Sequence, residues 1–192
     1  MPELILASTS PYRRELLARL GHPFAVVAPQ VSEDDAPGEF PADRALRLAL
    51  EKARAVVRRA PGTVVIGSDQ VAAADAQPLG KPGDLAGARA QLARLSGRSA
   101  RFYTACAVLG GESGVHLAHV DTTTVVFRSL EPQEIDRYLM REQPYDCAGS
   151  FKAEGLGICL LECIESQDPT ALIGLPLIWL AGALRAAGLH VP

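Results

Sequence analysis

The chain has 192 residues, of which 48% are hydrophobic and 21% are charged, as is usual for a globular protein with one sizeable core. Its formal charge of −3 argues against a general nucleic-acid binder and against a binder of anionic membranes, because both need a basic surface. The sequence shows no secretion signal, no apolar tract long enough to cross a bilayer and no metal-site spacing among its four cysteines. We therefore expect a cytoplasmic protein with reduced core cysteines.

Short apolar runs alternate with helical leucine patterns along the chain. A first strand is predicted at Leu4–Ala7, and Arg13–Leu20 carries leucines at helical spacing. Asp43 is the predicted N-cap of a long helix from Arg44 to about Arg59. Its predicted apolar stripe is Leu46, Leu50, Ala53 and Val57. The other predicted strands are Phe24–Val27, Thr63–Ile66, Arg101–Leu109, Val115–Phe127 and Leu156–Ile164.

Further helices are predicted after Asp84 as far as Leu95, from Pro132 to about Arg141, and from Pro176 to Gly188. The alternation of strands and helices indicates an α/β fold. The Gly110-Gly111 pair predicts a hairpin, which adds an antiparallel component to the sheet. No internal linker is evident, so the sequence predicts a single domain over residues 1–192.

The first apolar strand runs into a polar segment, Ser8-Thr9-Ser10-Pro11-Tyr12-Arg13-Arg14. Arginines at the start of a helix are unfavourable by roughly 0.3–1 kcal/mol, because that end of the helix carries a partial positive charge. Hydroxyl groups, free N–H groups and two guanidinium groups at a helix N-terminus form a typical anion site. The alternative is a serine-capped helix with solvated arginines.

Three further polar segments carry groups suited to phosphate chemistry. They are Gly67-Ser68-Asp69-Gln70 after the third strand, the turn Gly80-Lys81-Pro82, and the glycine-bounded loop from Gly149 to Gly155. Glu51-Lys52 on the long helix adds an ammonium group. Asp69 alone could equally form a turn or a helix cap. An exposed Glu-Lys pair on a helix is usually only a solvated part of the surface. Together, however, these groups are the set needed to cleave a nucleotide phosphoanhydride.

Seven stretches in order resemble the Maf family of nucleoside triphosphate pyrophosphatases, and the resemblance covers essentially the whole chain. They are Ser8–Arg14, Val31-Ser32-Glu33, Glu51-Lys52-Ala53, Gly67–Gln70, Gly80-Lys81-Pro82, Ala148–Gly155 and Ile173-Gly174-Leu175-Pro176. The resemblance implies a Maf/ITPase-like α/β domain of two lobes around an elongated mixed sheet, with a central cleft. It also implies hydrolysis of a nucleoside triphosphate to the monophosphate and pyrophosphate, with Mg²⁺ or Mn²⁺ as cofactor.

The resemblance also implies roles for individual residues. The residues implied to bind the phosphates are Ser8, Ser10, Arg13 and Arg14. Glu33 and Asp69 would hold the metal ion and the attacking water, with Asp69 as the proton acceptor. Lys52 and Lys81 would neutralise charge that develops on the phosphate oxygens. Two of only three lysines in the chain thus match catalytic positions of the family.

Three positions bear on the identity of the nucleotide. Family members that act on dTTP and UTP carry Arg, Thr and Gln where this chain has Tyr12, Gln70 and Glu154. These three residues resemble the branch that hydrolyses 7-methyl-GTP, although that branch more often has Trp in place of Tyr12. The chemistry agrees, since 7-methylguanine is cationic and a cation on an aromatic face gains about 0.5–2 kcal/mol. Glu154 can accept hydrogen bonds from two adjacent guanine donors, which pyrimidines lack.

We therefore expect a metal-dependent 7-methyl-GTP pyrophosphatase that clears modified nucleotides from the pool. One alternative is a pyrophosphatase for dTTP and UTP, or one of broad specificity. An alternative of another class is a nucleotide-binding regulator of cell division that needs no catalysis. The expected partner is a small-molecule nucleotide rather than nucleic acid or a membrane. The sequence does not fix the oligomeric state, and the resemblance suggests a homodimer.

Overall fold

The computed structural model describes residues 3–34, 36, 38–75, 77–111 and 114–192. These residues form seven strands and five α-helices, so the predicted α/β class with a mixed sheet is confirmed. The strands are β1 (Leu4–Ala7), β2 (Ala25–Val26), β3 (Val64–Ala74), β4 (Gln77–Leu79), β5 (Ser99–Gly110), β6 (Val115–Phe127) and β7 (Leu161–Glu165). The helices are α1 (Pro11–Ala18), α2 (Pro41–Val57), α3 (Leu85–Leu95), α4 (Pro132–Glu142) and α5 (Leu177–Ala186). Residues 1 and 2 of the N-terminus, and 112 and 113 of the predicted hairpin connection, lie outside the described residues.

The sheet combines parallel and antiparallel pairs. Its strand order is β2-β1-β3-β5-β6-β7, and β4 pairs with β3 outside that path. β1 is parallel to β2 and to β3, whereas β3 and β4 are antiparallel, as are β6 and β7. The register sets Ala7 opposite Gly67, so the polar residues that follow these two positions begin at the same level of the sheet.

Internal contacts divide the described chain into two units. The first comprises the described residues of Met1–Gln70, Tyr103–Asp121 and Asp168–Pro192, and the second those of Val71–Phe102 and Thr122–Gln167. The single domain over residues 1–192 and the central cleft therefore stay predictions. None of the described helices combines the length and the apolar composition that a membrane crossing requires.

The core of the first unit is aliphatic. Apolar side chains of β1, β3 and β5 form one cluster with those of α1 and α5. Leu6, Ile66 and Leu180 are among its fully buried members, and each such side chain contributes about 1.5–3 kcal/mol relative to exposure. The second unit combines buried aliphatic side chains with a cluster of three phenylalanine rings. Phe151 meets the ring edges of Phe102 and Phe127 at centroid distances of 5.5 and 5.4 Å.

Helix α2 differs from its prediction at its start and along its buried face. It begins at Pro41 after the N-cap Phe40, so the expectation that Asp43 caps it is wrong. Proline suits this first position because its φ is already helical and it has no N–H to satisfy. The buried stripe is Ala45, Leu48, Ala49, Lys52, Ala53 and Val56. Of the predicted stripe only Ala53 is buried, and Leu46, Leu50 and Val57 are partly exposed.

The bounds of other elements also differ from their predictions. α1 begins at Pro11 instead of Arg13, and β3 continues to Ala74 instead of ending at Ile66. The strand predicted over Leu156–Ile164 is a 3₁₀ turn over its first five residues and becomes strand β7 only at Leu161. The expectation of core cysteines is correct for Cys106 but wrong for two others, since Cys159 and Cys163 are exposed.

Candidate active site

The first unit contains a compact group of three charged side chains. The Nζ atom of Lys52, on α2, lies 2.6 Å from Oδ1 of Asp69, on β3. The same Nζ lies 2.6 Å from Oε1 of Glu33 in the segment before α2. Lys52 and Asp69 are buried, whereas the Glu33 side chain is 60% exposed. A buried ammonium is tolerated only with partners of opposite charge, and here it has two.

Gly67 makes this pairing sterically possible. A Cβ at Gly67 would lie 2.1 Å from the carbonyl oxygen of Ala49 and 2.9 Å from the Cβ of Ala53. Only glycine therefore lets β3 approach α2 this closely. Because side chains alternate along a strand, Asp69 projects from the same face of β3 as position 67, towards the helix that carries Lys52.

The residues that follow β1 form the predicted turn into a helix. Ser10 is the N-cap of α1, and its hydroxyl oxygen accepts from the N–H of Arg13 at 3.4 Å. The hydroxyl oxygen of Ser8 accepts from the N–H of Ser10 at 3.1 Å. Tyr12 is half-buried on the first turn of α1 and Arg14 is exposed. Ser8, Ser10 and Arg13 therefore belong to one hydrogen-bonded helix start.

Arg13 lies within electrostatic range of the charged group. Burial lowers the pKa of the Arg13 guanidinium, while the nearby Asp69, Cys106 and Glu33 act in the opposite direction. Burial also raises the pKa of the Cys106 thiol to about 12, so that it stays protonated and unreactive at neutral pH. The structure thus places Arg13, Asp69, Glu33 and Lys52, all selected from the sequence, near one another in the first unit.

The segment before α5 supports Arg13 through a single carbonyl group. The carbonyl oxygen of Gly174 accepts from Nε of Arg13 at 3.1 Å and from the hydroxyl of Ser68 at 3.0 Å. Gly174 has φ +138°, a backbone conformation rare for residues with a side chain, and a Cβ there would lie 3.2 Å from Cγ of Arg13. Because Nε is engaged, the terminal nitrogens of Arg13 are the ones left to bind a ligand.

Gln70 and Asp168 hold this same segment. The amide nitrogen of Gln70 lies 2.8 Å from the Thr104 hydroxyl and within 3.2 Å of the carbonyl oxygens of Ala171 and Leu172. Buried Asp168 accepts from the N–H and hydroxyl of Thr170 and, at 2.7 Å, from the N–H of Ile178. Sequence reasoning missed Asp168, although Asp-Pro-Thr is a recognisable turn signal.

Two of the predicted residues belong to the second unit. Lys81 is exposed in the turn that follows β4, where the carbonyl oxygen of Gly80 accepts from the Gln91 amide at 3.1 Å. Glu154 is exposed in the loop that follows the aromatic core residue Phe151. Their roles stay predictions.

The donor set of the charged group is suited to a divalent cation. Oδ1 of Asp69 and Oε1 of Glu33 each lie 2.6 Å from the same atom, Nζ of Lys52. Mg²⁺ commonly takes one or two protein carboxylates and completes its shell with water and substrate phosphates. Glu33 and Asp69 match that requirement. No group of three or more His, Cys, Asp and Glu side chains that could enclose a metal ion occurs among the residues with described positions.

Comparisons with known proteins find a matching family model and similar chains. The family model described as Maf-like protein matches residues 3–187. The chain is 58% identical to the 7-methyl-GTP pyrophosphatase of Xanthomonas oryzae pv. oryzae over the full length of both chains. It is 56% identical to the protein of the same name from Bordetella pertussis, covering 98% of this chain and 94% of that one. Among solved structures, the Staphylococcus aureus Ham1 protein is similar over 66% of this chain and 72% of its own, with 15% identity and a TM-score of 0.44.

Proposed function

Because the chain belongs to the Maf family, we propose that it is a nucleoside triphosphate pyrophosphatase that hydrolyses 7-methyl-GTP to 7-methyl-GMP and pyrophosphate. The observation that supports this proposal most directly is the buried Lys52 ammonium between the carboxylates of Asp69 and Glu33. Such a group can hold a water molecule and a polyphosphate at once, because it presents both proton acceptors and a cation.

The reaction needs an acceptor for the proton of the attacking water, and we assign that role to Asp69. Its carboxylate is fixed by Lys52 and is mostly shielded from solvent. Lys52 offsets the charge that develops on the phosphate oxygens, and Lys81 is assigned the same task. A divalent cation, Mg²⁺ or Mn²⁺, held by Glu33 and Asp69 would supply further charge neutralisation on the phosphates.

The polyphosphate is held by the start of α1. Arg13 and Arg14 offer guanidinium donors, and the hydroxyls of Ser8 and Ser10 belong to the same turn into the helix. Backbone N–H groups at a helix N-terminus add to the attraction for an anion. Nε of Arg13 donates to the carbonyl oxygen of Gly174. The two terminal nitrogens of Arg13 can therefore form parallel hydrogen bonds with phosphate oxygens.

Nucleobase selectivity is assigned to Tyr12, Gln70 and Glu154. Tyr12 offers an aromatic face to a cationic base. The Glu154 carboxylate accepts from the N1–H and the exocyclic amine of guanine, and its charge complements the methylated ring. Gln70 contributes by shaping the segment around Ala171 and Leu172, to which its amide nitrogen is bonded. The substrate belongs to the nucleotide pool, so we also propose a cytoplasmic location, and a homodimer as in other family members.

The test is a panel of 7-methyl-GTP, GTP, dTTP and UTP with detection of pyrophosphate, run with and without a chelator. We expect kcat/KM for 7-methyl-GTP to be at least about tenfold higher than for GTP, dTTP or UTP. A tenfold ratio corresponds to one good charge-assisted contact. Activity should vanish with the chelator and return with Mg²⁺ or Mn²⁺. Preference for dTTP and UTP, or release of orthophosphate instead of pyrophosphate, would contradict the proposal.

A further inference from the structure

We propose that Glu142, at the end of α4, is a positioning residue for nucleobase selectivity, because it fixes the turn that carries Glu154. This inference rests on the proposed function, in which Glu154 contacts the base. Nothing in the sequence pattern assigned a role to Glu142, and its side chain is only 16% exposed.

Glu142 engages the backbone immediately after Glu154. Its Oε2 atom accepts from the N–H of Leu156 at 2.7 Å. Gly155 packs directly on the carboxylate, since a Cβ at that position would lie 2.6 Å from the same oxygen. The two residues that follow Glu154 are therefore held by one side chain, which leaves the backbone at Glu154 little freedom on that side.

The backbone before Glu154 is held by the same helix. The hydroxyl oxygen of Tyr138, one turn before Glu142 on α4, accepts from the N–H of Lys152 at 3.1 Å. The carbonyl oxygen of Lys152 accepts from the N–H of Gly155 at 3.2 Å, which closes a tight turn around Glu154. The Glu154 side chain is exposed at the tip of this turn. Two side chains of α4 thus anchor both ends of the turn.

Glu142 also balances a charge next to the proposed base contact. Oε1 of Glu142 lies 3.8 Å from Nζ of Lys152, two residues before Glu154. Without Glu142, the Lys152 ammonium would lack this neutralising carboxylate. It would attract the Glu154 carboxylate and draw it away from the base. Removal of Glu142 should therefore reduce hydrolysis of 7-methyl-GTP more than hydrolysis of a neutral-base substrate.

The experiment compares Glu142→Ala, Glu142→Gln and the control Arg141→Ala, which changes an exposed residue of the same helix. The measurement is kcat/KM for 7-methyl-GTP and dTTP in the presence of Mg²⁺. We expect Glu142→Ala to lower the preference for 7-methyl-GTP by about tenfold, since a charge-assisted hydrogen bond and an ion pair are lost together. Glu142→Gln should lower it less, because the amide oxygen still accepts from Leu156. Arg141→Ala should leave the preference unchanged.

A merely structural role would not change this ratio, because loss of folded enzyme lowers both rates equally. The double variant Glu142→Ala/Glu154→Gln adds a second check, since a residue that acts through Glu154 should have little further effect once Glu154 is altered. An unchanged ratio in both Glu142 variants, or additive effects in the double variant, would overturn the role of Glu142. A wild type with no preference for 7-methyl-GTP would instead overturn the proposed function itself.

Discussion

The charged group of the first unit and the 152–156 turn of the second are held in place in different ways. In the charged group, Lys52 and Asp69 come from the middle of a helix and of a strand, and their distance is set by backbone packing at Gly67. In the turn, the backbone is irregular and is held by two side chains of α4, Tyr138 and Glu142.

Because of this difference, we expect the two regions to control different properties of the enzyme, namely its rate and its selectivity. Regular elements packed at a glycine hold side chains firmly, as proton transfer requires. A turn held by a few side-chain hydrogen bonds can change its shape when one residue changes, while the core stays intact. We therefore expect substitutions in the charged group to alter turnover of every nucleotide equally, and substitutions around the turn to alter the choice among nucleotides.

The largest effect is expected from Asp69→Asn. The amide keeps the size of the side chain and an oxygen for Lys52, but it cannot accept the proton of the attacking water. Turnover of 7-methyl-GTP and of dTTP should both fall by about 10³-fold or more, within the range of general-base contributions. The measurement is kcat from pyrophosphate release, with thermal unfolding followed by circular dichroism to show that the fold is kept.

The matched control is Asp43→Asn, an exposed aspartate on the first turn of α2. It should leave turnover unchanged. Near-normal activity of Asp69→Asn would remove the proton-acceptor role, and retained ability to complement a cell-division phenotype without turnover would favour the regulator alternative.

Gly67→Ala is expected to have the next largest effect. The new Cβ would meet a backbone oxygen of α2 at 2.1 Å, so the helix or the strand must move. We expect a loss of about 1–3 kcal/mol in the free energy of unfolding. Turnover should fall by roughly 10- to 100-fold, because displacements near 1 Å are costly for catalysis. Urea unfolding and kcat on the folded fraction measure the two effects.

The control for this substitution is Gly182→Ala in α5, where a Cβ meets nothing within 4 Å. Alanine in a helix interior is more favourable than glycine by up to about 1 kcal/mol, so stability should rise slightly and turnover should stay normal. Equal behaviour of the two alanine variants would show that the α2–β3 contact does not determine the geometry of the charged group.

The helix that carries Lys52 and the strand that carries Asp69 both differ from their sequence-based predictions. Lys52 lies on the buried stripe of α2, so an ammonium interrupts the apolar pattern, and the predicted stripe shifted to neighbouring leucines. The polar run Ser68-Asp69-Gln70 lies inside β3, so the strand was predicted to end before it. Both errors have one cause: polar residues inside regular elements break the periodicity on which prediction depends.

Other features had clear local signals. The apolar run of β1, the leucine spacing of α1 and the proline at the start of α4 predicted those elements. The family resemblance selected residues that the fold brings together around Lys52. Glu142 had no such signal. Its hydrogen bond joins residues 14 positions apart, and local patterns carry no information about pairs at that separation.

A smaller and uniform effect is expected from Ser68→Ala. The buried Ser68 hydroxyl is one of two donors to the Gly174 carbonyl oxygen, which also fixes Nε of Arg13. Its loss should cost about 0.5–1.5 kcal/mol of stability. Because the Arg13 side chain would then be held less firmly, KM should rise by a few-fold, which is roughly the effect of one neutral hydrogen bond. The rise should be equal for 7-methyl-GTP and dTTP. A change in the ratio of the two kcat/KM values would contradict the separation of the two regions.

The smallest effect is expected from Tyr138→Phe. Unlike Ser68→Ala, it should change the choice between nucleotides and not the hydrolysis of all of them equally. The substitution removes only the hydroxyl that accepts from the Lys152 N–H, while Glu142 still holds the other end of the turn. We expect a stability loss of about 0.5–1.5 kcal/mol. kcat/KM for 7-methyl-GTP should fall about two- to threefold with no change for dTTP, since only part of the anchoring is lost. An equal fall for both nucleotides would mean that the turn supports catalysis in general, and that the charged group alone does not set the rate.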